Sequence, residues 1–413
     1  MLGYWAKVAG CIGFTIFNTY ISQGDSYGVY QAEGHQIQRL IINDITNIKL
    51  LFTPVGAYDT SLFIDSLNVG TLKTESNFLV VRIAAILSFF SFGHYFVTNF
   101  LFAMISYAGM WRLFKFFCQE KPHLHKQFAI AILYFPTVVF WSSGAMKDPL
   151  CIGGLGFITY ALYNLVYKKQ GLLSNTLIIL IVGYVLIVLK VYILIAYLPF
   201  LSLFLVLKNV NMVKSRGFKF LFAPLLIAGC IFGFTKLFDN FDEELGNYAF
   251  SNITETVKTQ QFNFQAQAEE SGSSFSLGAE FDGSVGGLVA MAPAAIAATL
   301  FRPFLWESKK ISTLLSSLES LALMFFTIYV LFKAGLVVFF RSLFKDPLVV
   351  FCFSFSMMFA IFVGATTLNF GSLVRYKIPC MPFYLITLFL ILDIANRKAI
   401  KAPKIPLKVG AES

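Results

Sequence analysis

Charged side chains are scarce in this chain of 413 residues. Asp, Glu, Lys and Arg make up 13% of it, whereas 57% of the residues are hydrophobic, and the mean hydropathy is +0.72. So little charge on so much apolar sequence excludes an ordinary soluble globular protein. The composition therefore predicts a membrane protein that crosses the bilayer several times.

Metal-binding and disulfide patterns are also lacking. The six cysteines are scattered singly in or beside apolar runs, so they indicate neither a disulfide framework nor a metal site. His94, His123 and His125 are not arranged with carboxylates as metal ligands. We expect no required cofactor, and a divalent metal is possible but not indicated. No internal repeat is evident, which argues against a transporter fold built from inverted halves.

Long apolar runs predict the fold class. Because a spanning helix needs about 20 mostly apolar residues, we predict an all-α polytopic membrane protein with about ten transmembrane helices, within a range of about nine to twelve. The predicted helices lie near residues 1–21, 95–117, 128–143, 149–167, 174–189, 191–207, 218–236, 315–334, 347–365 and 378–395.

The domain organisation follows from these runs. Residues 1–395 form a single transmembrane domain, and residues 396–413 form a basic cytoplasmic tail. Two structured loops on the outer side, residues 22–77 and 237–312, interrupt the domain. The middle of the second loop is polar and resembles a mobile flap.

Two apolar segments are too short to cross the membrane comfortably. Residues 78–94 contain Arg82, so we predict an interfacial helix there. The small-residue run at 286–299 is interrupted by a proline, so a re-entrant or interfacial helix is expected.

Loop charges predict the orientation. The loops assigned to one side are rich in Lys and Arg and poor in acids, which places them and both termini in the cytoplasm. The first helix contains Lys7 and has no small-residue cleavage site, so we interpret it as a retained signal-anchor. The net charge of +10 thus reflects membrane orientation, and no interleaved basic and aromatic stripe favours a nucleic-acid partner.

Lone cations on the opposite side are the candidates for function. Lys147 precedes Asp148 in a turn, and Lys190 interrupts an apolar run that can span twice only if it turns near residue 190. An unpaired ammonium there must reach the interface or bind an anion. A local ion pair at Lys147 and Asp148 remains an alternative. The candidate anion-binding residues are Lys147, Lys190, Arg302, Arg375 and Lys377.

Asp25 is the candidate catalytic residue. It follows the outer end of the first helix, where a carboxylate can act as general base on an acceptor hydroxyl. The alternative is that Asp25 caps a helix that begins at Ser26. Secondary candidates are Glu33, His35, Asp44, Asp148 and Tyr192. For Arg375 and Lys377, anchoring to lipid headgroups is a second possibility.

This layout resembles the GT-C class of integral membrane glycosyltransferases. The similarity rests on the first loop GDSYGVYQAEG, the segment NFLVVRI, the Lys190 cation before a tyrosine-rich run, and RYKIPCMPF. FPTVVFWSSGAMKDPL and TLFRPFLWESKK look like signatures of related bacterial membrane proteins. The resemblance implies an acidic base at Asp25 and a donor phosphate held by Lys190, Arg302 and Arg375. Many members of the class have a second acid after the first, where this chain has Ser26.

The resemblance implies transfer of a sugar from a polyprenyl-phosphate donor to a glycan, lipid or protein acceptor, on the outer face of the bacterial inner membrane. Membrane lipids are further expected partners. An O-antigen-type polymerase or ligase, a lipid-linked substrate flippase or exporter, and a non-enzymatic scaffold subunit remain alternatives.

Overall fold

The computed structural model describes residues 2–22, 24–55, 57, 74–210, 253–271, 274–278, 284–308 and 311–401. Within these ranges the chain forms helices, and its one β contact is an isolated bridge between Ser274 and Asn369. The α-helices are α1 Leu2–Phe17, α2 Ala32–Asn43, α3 Glu75–Ser91, α4 Tyr95–Glu120, α5 His125–Leu133, α6 Pro136–Trp141, α7 Lys147–Tyr163, α8 Leu172–Val210, α9 Ile253–Ser271, α10 Val285–Phe301, α11 Ile311–Ala334, α12 Leu336–Lys345, α13 Pro347–Thr366, α14 Phe370–Tyr376 and α15 Met381–Lys401.

Short non-α helical segments connect some of these elements. Residues Asn18–Ser22, Ser26–Gln31 and Asn164–Lys168 are π-helical, and residues Ile45–Leu51, Pro122–Leu124 and Leu305–Glu307 are 3₁₀-helical.

Five helical segments among the described residues are long and apolar enough to cross a membrane, or six if the bent pair α14 and α15 counts as one span. The all-α and membrane predictions are therefore confirmed, while the count of about ten spans is not. The predicted helix near 218–236 lies outside the described residues, whereas the polar middle of the second loop, predicted as a mobile flap, forms helix α9. The predicted helix at 128–143 is divided into α5 and α6, because Pro136 begins a new helix.

Helices α4 and α7 run side by side and define two ends of the bundle. We call the end with Lys147 the upper end and the end with Glu120 the lower end. Gly109 and Gly156 allow the close contact, because a Cβ on either would lie 2.0 Å from a carbonyl oxygen of the other helix. Small residues at such crossings allow helix backbones to approach closely, as is usual in membrane bundles.

Helix α8 folds back on itself. Its 39 residues would span about 58 Å if straight. Lys190 is instead non-helical, with φ −157° and ψ 75°. Lys208, near the end of α8, lies 3.9 Å from the ring centre of Tyr167, which precedes α8. Both ends of α8 therefore meet at the lower end, and Lys190 is carried toward the upper end, where the sequence predicts a turn.

Helix α3 covers most of the predicted interfacial segment 78–94. One face packs inside the protein, and Arg82 donates to the Glu75 carboxylate at 2.9 Å and to the Thr53 carbonyl oxygen at 2.5 Å. The charge of Arg82, which argued against a membrane span, is thus neutralised within the protein by Glu75. The position of α3 relative to the bilayer stays a prediction.

Helix α10 covers the predicted re-entrant segment and packs against α13. A Cβ on Gly364 would lie 2.1 Å from the Ala295 carbonyl oxygen, and Thr299 donates to the Ala360 carbonyl oxygen at 2.7 Å. The Arg302 carbonyl oxygen accepts a hydrogen bond from Ser320, which lies about 14 Å along α11 from its first residue. This contact joins the end of α10 to α11, while the re-entrant or interfacial placement of the segment stays a prediction.

Candidate functional site

Two distant cations converge on one buried carboxylate at the upper end. Asp148, in the first turn of α7, is 3% exposed. Lys190 Nζ lies 2.8 Å from Asp148 Oδ1, and Arg375 Nη2 lies 3.4 Å from Asp148 Oδ2. A buried carboxylate is stable only when it is paired in this way. Asp148 therefore holds α7, the bend of α8 and the end of α14 together.

Local sequence explains how each group reaches this point. Pro149 fits the first turn of α7, where its missing N–H is not needed, and Asp148 lies at the positive end of the same helix. Lys190 is located at the break in α8, so its side chain leaves the helix at the bend. Arg375 belongs to the last turn of α14, just before the chain bends by 61° into α15.

Lys147 adds a third cation to this group. Its Nζ donates to Ser76 Oγ at 2.9 Å, and it forms no ion pair with any described residue. It lies close enough to Lys190 and Arg375 for their charges to repel. We call Lys147, Asp148, Lys190 and Arg375 the upper cluster. Because it contains three cations and one carboxylate, it has an excess of positive charge that favours an anionic ligand.

Aromatic rings form the walls of the upper cluster. Lys190 Nζ lies 4.1 Å from the ring centre of Tyr376, and the guanidinium carbon of Arg375 lies 5.4 Å from that of Trp141. Cations over aromatic faces gain stabilisation that grows as water is removed. These rings therefore help to hold the two cations in place beside Asp148.

Asp25 is exposed and lies near the upper cluster. It precedes the π-helical segment Ser26–Gln31, but its side chain forms no capping hydrogen bond there. Asp25 therefore occupies the N-cap position that the alternative predicted, but its side chain does not cap the backbone. Burial and the nearby charge of Asp25 raise the pKa of Tyr30, and the charge of Arg375 opposes that effect. The Tyr30 hydroxyl, which donates to Asn77 Oδ1 at 3.0 Å, thus lies within the electrostatic range of both Asp25 and Arg375.

Arg302 and Lys377 form a separate network. Arg302 pairs with the Glu307 carboxylate and donates to the Ser276 carbonyl oxygen at 2.9 Å. Lys377 is fully buried and donates to the Arg302 carbonyl oxygen at 3.1 Å and to Ser320 Oγ at 2.9 Å. The structure therefore divides the five predicted cations into two sets, since these two are engaged away from Asp148.

The other first-loop candidates have local partners. Glu33 is buried, and His35 Nδ1 lies 2.8 Å from Gln38 Oε1. Asp44 caps the 3₁₀ segment Ile45–Leu51, and hydrogen bonds from the backbone N–H and hydroxyl of Thr46 lower the pKa of its carboxyl. These contacts are typical of residues that stabilise a loop.

Tyr192 follows Lys190 by two residues. Its ring stacks on those of Phe362 and Phe359, with ring centres 4.7 and 6.0 Å apart. It anchors the second half of α8 to α13 directly below the bend.

A short helix positions part of the site in a way that sequence reasoning missed. At the start of α6, Glu319 accepts from the Thr137 N–H at 2.8 Å and from its hydroxyl at 2.5 Å. After its end, Lys7 donates to the Ser142 carbonyl oxygen at 2.5 Å. The negative Glu319 thus lies at the positive N-terminal end of α6, and the positive Lys7 lies at its negative C-terminal end, so both charges stabilise the helix dipole. Helix α6 carries Trp141 to Arg375. Lys7 within an apolar helix was the sequence signal for this arrangement.

Metal ligation receives no support at this site. In the ranges that the structure describes, no three or more His, Cys, Asp or Glu side chains lie together in a way that would hold a metal ion. Comparisons with protein-family models, with curated proteins and with solved structures gave no match. The functional argument therefore depends on the geometry of the upper cluster.

Proposed function

We propose that the upper cluster binds the phosphate group of a polyprenyl-phosphate-linked sugar donor, and that the protein transfers the sugar to a glycan, lipid or protein acceptor. The observation that carries this proposal is the meeting of Lys147, Lys190 and Arg375 around a single carboxylate. A guanidinium group presents a planar fork to phosphate oxygens, and an ammonium group adds a compact charge. Such a set suits a phosphate better than a neutral ligand.

Asp25 is the proposed general base. The acceptor hydroxyl oxygen forms a bond to the anomeric carbon of the sugar while the bond from that carbon to the phosphate oxygen breaks. The hydroxyl proton goes to Asp25, and the phosphate leaves with the bonding electrons. Negative charge grows on the phosphate during this step, so cations already fixed beside it stabilise the transition state.

The long loop 237–312 supports a covered site. Its described helix α9 touches the wall of the upper cluster, because the Phe264 and Tyr376 ring centres are 5.7 Å apart. Gln261 Nε2 donates to the Ala365 carbonyl oxygen at 2.7 Å. We propose that this loop closes over the bound donor. A closed loop excludes water and so limits hydrolysis of the donor.

The upper end is the proposed outer face of the bacterial inner membrane, with both termini in the cytoplasm. The lower end supports this orientation, because it carries most of the exposed cations of the described loops and the positive-inside rule places such loops in the cytoplasm. These exposed cations are Lys126, Lys169, Arg341, Lys345 and Arg397, and Lys121 and Lys168 at the same end are half-buried.

Reconstituted protein with a polyprenyl-phosphate-linked sugar tests the proposal. Asp25→Asn should lower the transfer rate by about 100 to 10,000-fold, the usual contribution of a general base. Asp44→Asn is the matched control, because Asp44 is also an exposed first-loop carboxylate but only caps a turn. Near-normal transfer by a folded Asp25→Asn protein would remove the catalytic assignment.

Donor binding separates the proposal from its rivals. Lys147→Gln should weaken donor binding without loss of the fold, since Ser76 is its single described hydrogen-bond partner. An O-antigen-type polymerase or ligase would instead lose activity with Arg375→Gln and retain it with Asp25→Asn. Lipid movement without sugar transfer would indicate a flippase or exporter. Donor binding and transfer that no substitution changes would indicate a non-enzymatic scaffold.

A further inference from the structure

Helix α12 connects two membrane-spanning helices at the lower end and has two unlike faces. Phe339 and Leu343 are buried against the protein. The opposite face exposes large apolar side chains, with Val337 78% and Phe344 83% exposed. Leu336 and Phe340 extend the same exposed apolar surface. A short helix of this kind is typical of a segment that lies in the membrane interface.

A basic cleft borders this apolar surface. It has a volume of about 370 Å³ and is lined by Arg341, Ser342, Lys345, Asp346, Pro347 and Ile394. We call it the α12 cleft. It lies at the opposite end of the bundle from the upper cluster, so nothing in the proposed transfer reaction uses it.

The charges of the α12 cleft are unbalanced. Asp346 pairs with Lys121 at 3.1 Å and accepts from the Leu348 N–H at 2.9 Å, so its charge is already matched outside the cleft. Arg341 and Lys345 are exposed and form no ion pair with any residue that the structure describes. The cleft therefore presents, beside an apolar surface, two cations that have no ion-pair partner among the described residues.

We infer that the α12 cleft binds the headgroup of an acidic phospholipid in the leaflet at the lower end. Arg341 and Lys345 contact the phosphate, and the exposed apolar side chains of α12 lie among the acyl chains. An acidic lipid offers both chemistries in one molecule, whereas free phosphate offers only the charge. Two cations at an anionic surface together give about 30-fold tighter binding than a neutral pair.

Native mass spectrometry of the purified full chain in detergent tests this inference. The probes are phosphatidylglycerol and phosphatidylcholine with identical acyl chains, because they differ in net charge. We expect wild type to bind phosphatidylglycerol preferentially, and Arg341→Gln with Lys345→Gln to lose about 30-fold of that affinity while phosphatidylcholine binding is unchanged. Higher salt should weaken the wild-type preference.

Lys126→Gln with Lys169→Gln is the matched control, since it removes two exposed lower-end cations outside the cleft. This control should stay within about twofold of wild type. Equal loss in both double variants would overturn the site, because it would show a general charge effect. No preference of wild type for phosphatidylglycerol would overturn it as well. Binding of inorganic phosphate at Arg341 and Lys345 without binding of phosphatidylglycerol would refute a lipid as the occupant.

Discussion

Replacement of Asp148 by asparagine is the sharpest test of the upper cluster. The substitution keeps the shape of the side chain and removes its charge. Lys190, which is 8% exposed, would then be left in the interior without its counterion. Loss of one partner from a buried ion pair costs about 3 to 5 kcal/mol. We expect the free energy of unfolding of Asp148→Asn to fall by that amount.

Unfolding of the purified full chain in mixed detergent and SDS micelles, followed by circular dichroism, measures this change. Lys121→Gln is the comparison, because the Lys121 and Asp346 side chains are 34% and 20% exposed, so this pair is much less buried than that of Asp148 and Lys190. A surface ion pair of this kind contributes about 0 to 1 kcal/mol. The contrast between the two variants separates a buried pair from an exposed pair in the same protein.

A double-mutant cycle completes the test. Asp148→Asn leaves an ammonium group unpaired, and Lys190→Met in the same chain removes that group. The double variant should therefore be more stable than Asp148→Asn alone, with a coupling energy of at least about 1 kcal/mol. Additive effects, or a loss from Asp148→Asn no larger than that from Lys121→Gln, would refute the pairing.

Three further substitutions test the packing around the site, each by the free energy of unfolding in the same micelles. Gly109→Ala should destabilise the protein by about 1 to 3 kcal/mol, because its Cβ would overlap the α7 backbone. The control Gly183→Ala, whose Cβ would meet nothing within 4 Å, should stabilise it by up to about 1 kcal/mol. Equal effects of the two substitutions would contradict the close crossing of α4 and α7. Gly364→Ala should likewise destabilise by about 1 to 3 kcal/mol, and a neutral result would argue against α10 packing on α13. Lys377→Met should cost about 1 to 3 kcal/mol because the Arg302 carbonyl oxygen and Ser320 lose a buried donor, and an unchanged stability would show that Lys377 does not hold the two segments together.

Helix content and the bend at Lys190 were predictable from the sequence because both follow from local physics. An apolar run must be helical in a bilayer, where each backbone polar group needs a partner within the segment. A charge in the middle of a run too long for one crossing marks the place where the chain turns toward the surface. The structure has its helix break at that residue.

The partners of Asp148 were not predictable in this way. The sequence places Lys147 next to it and suggests a local pair, but adjacent residues at a helix start point in different directions. The structure pairs Asp148 with Lys190 and Arg375, which are 42 and 227 residues away. Such pairings depend on how helices cross, and the glycines that set the crossing of α4 and α7 carry no sign of their partner in one sequence.

The division of the predicted cations has the same cause. Arg302, Arg375 and Lys377 were all predicted as anion-binding residues, yet among these three only Arg375 reaches the upper cluster. Arg375 and Lys377 are two residues apart, but Arg375 pairs with Asp148 whereas Lys377 donates to Ser320 and the Arg302 carbonyl oxygen. The catalytic role of Asp25 stays a prediction, because its exposure and position alone do not show what its carboxylate acts on.

The order in which the three partners occur along the chain has a consequence for biosynthesis. A ribosome delivers the carboxylate first, its ammonium partner 42 residues later, and the guanidinium 227 residues after the carboxylate. Until Arg375 is inserted, Asp148 lacks one of its two cationic partners. Chains truncated before Arg375 should therefore be degraded faster by membrane proteases than the full chain.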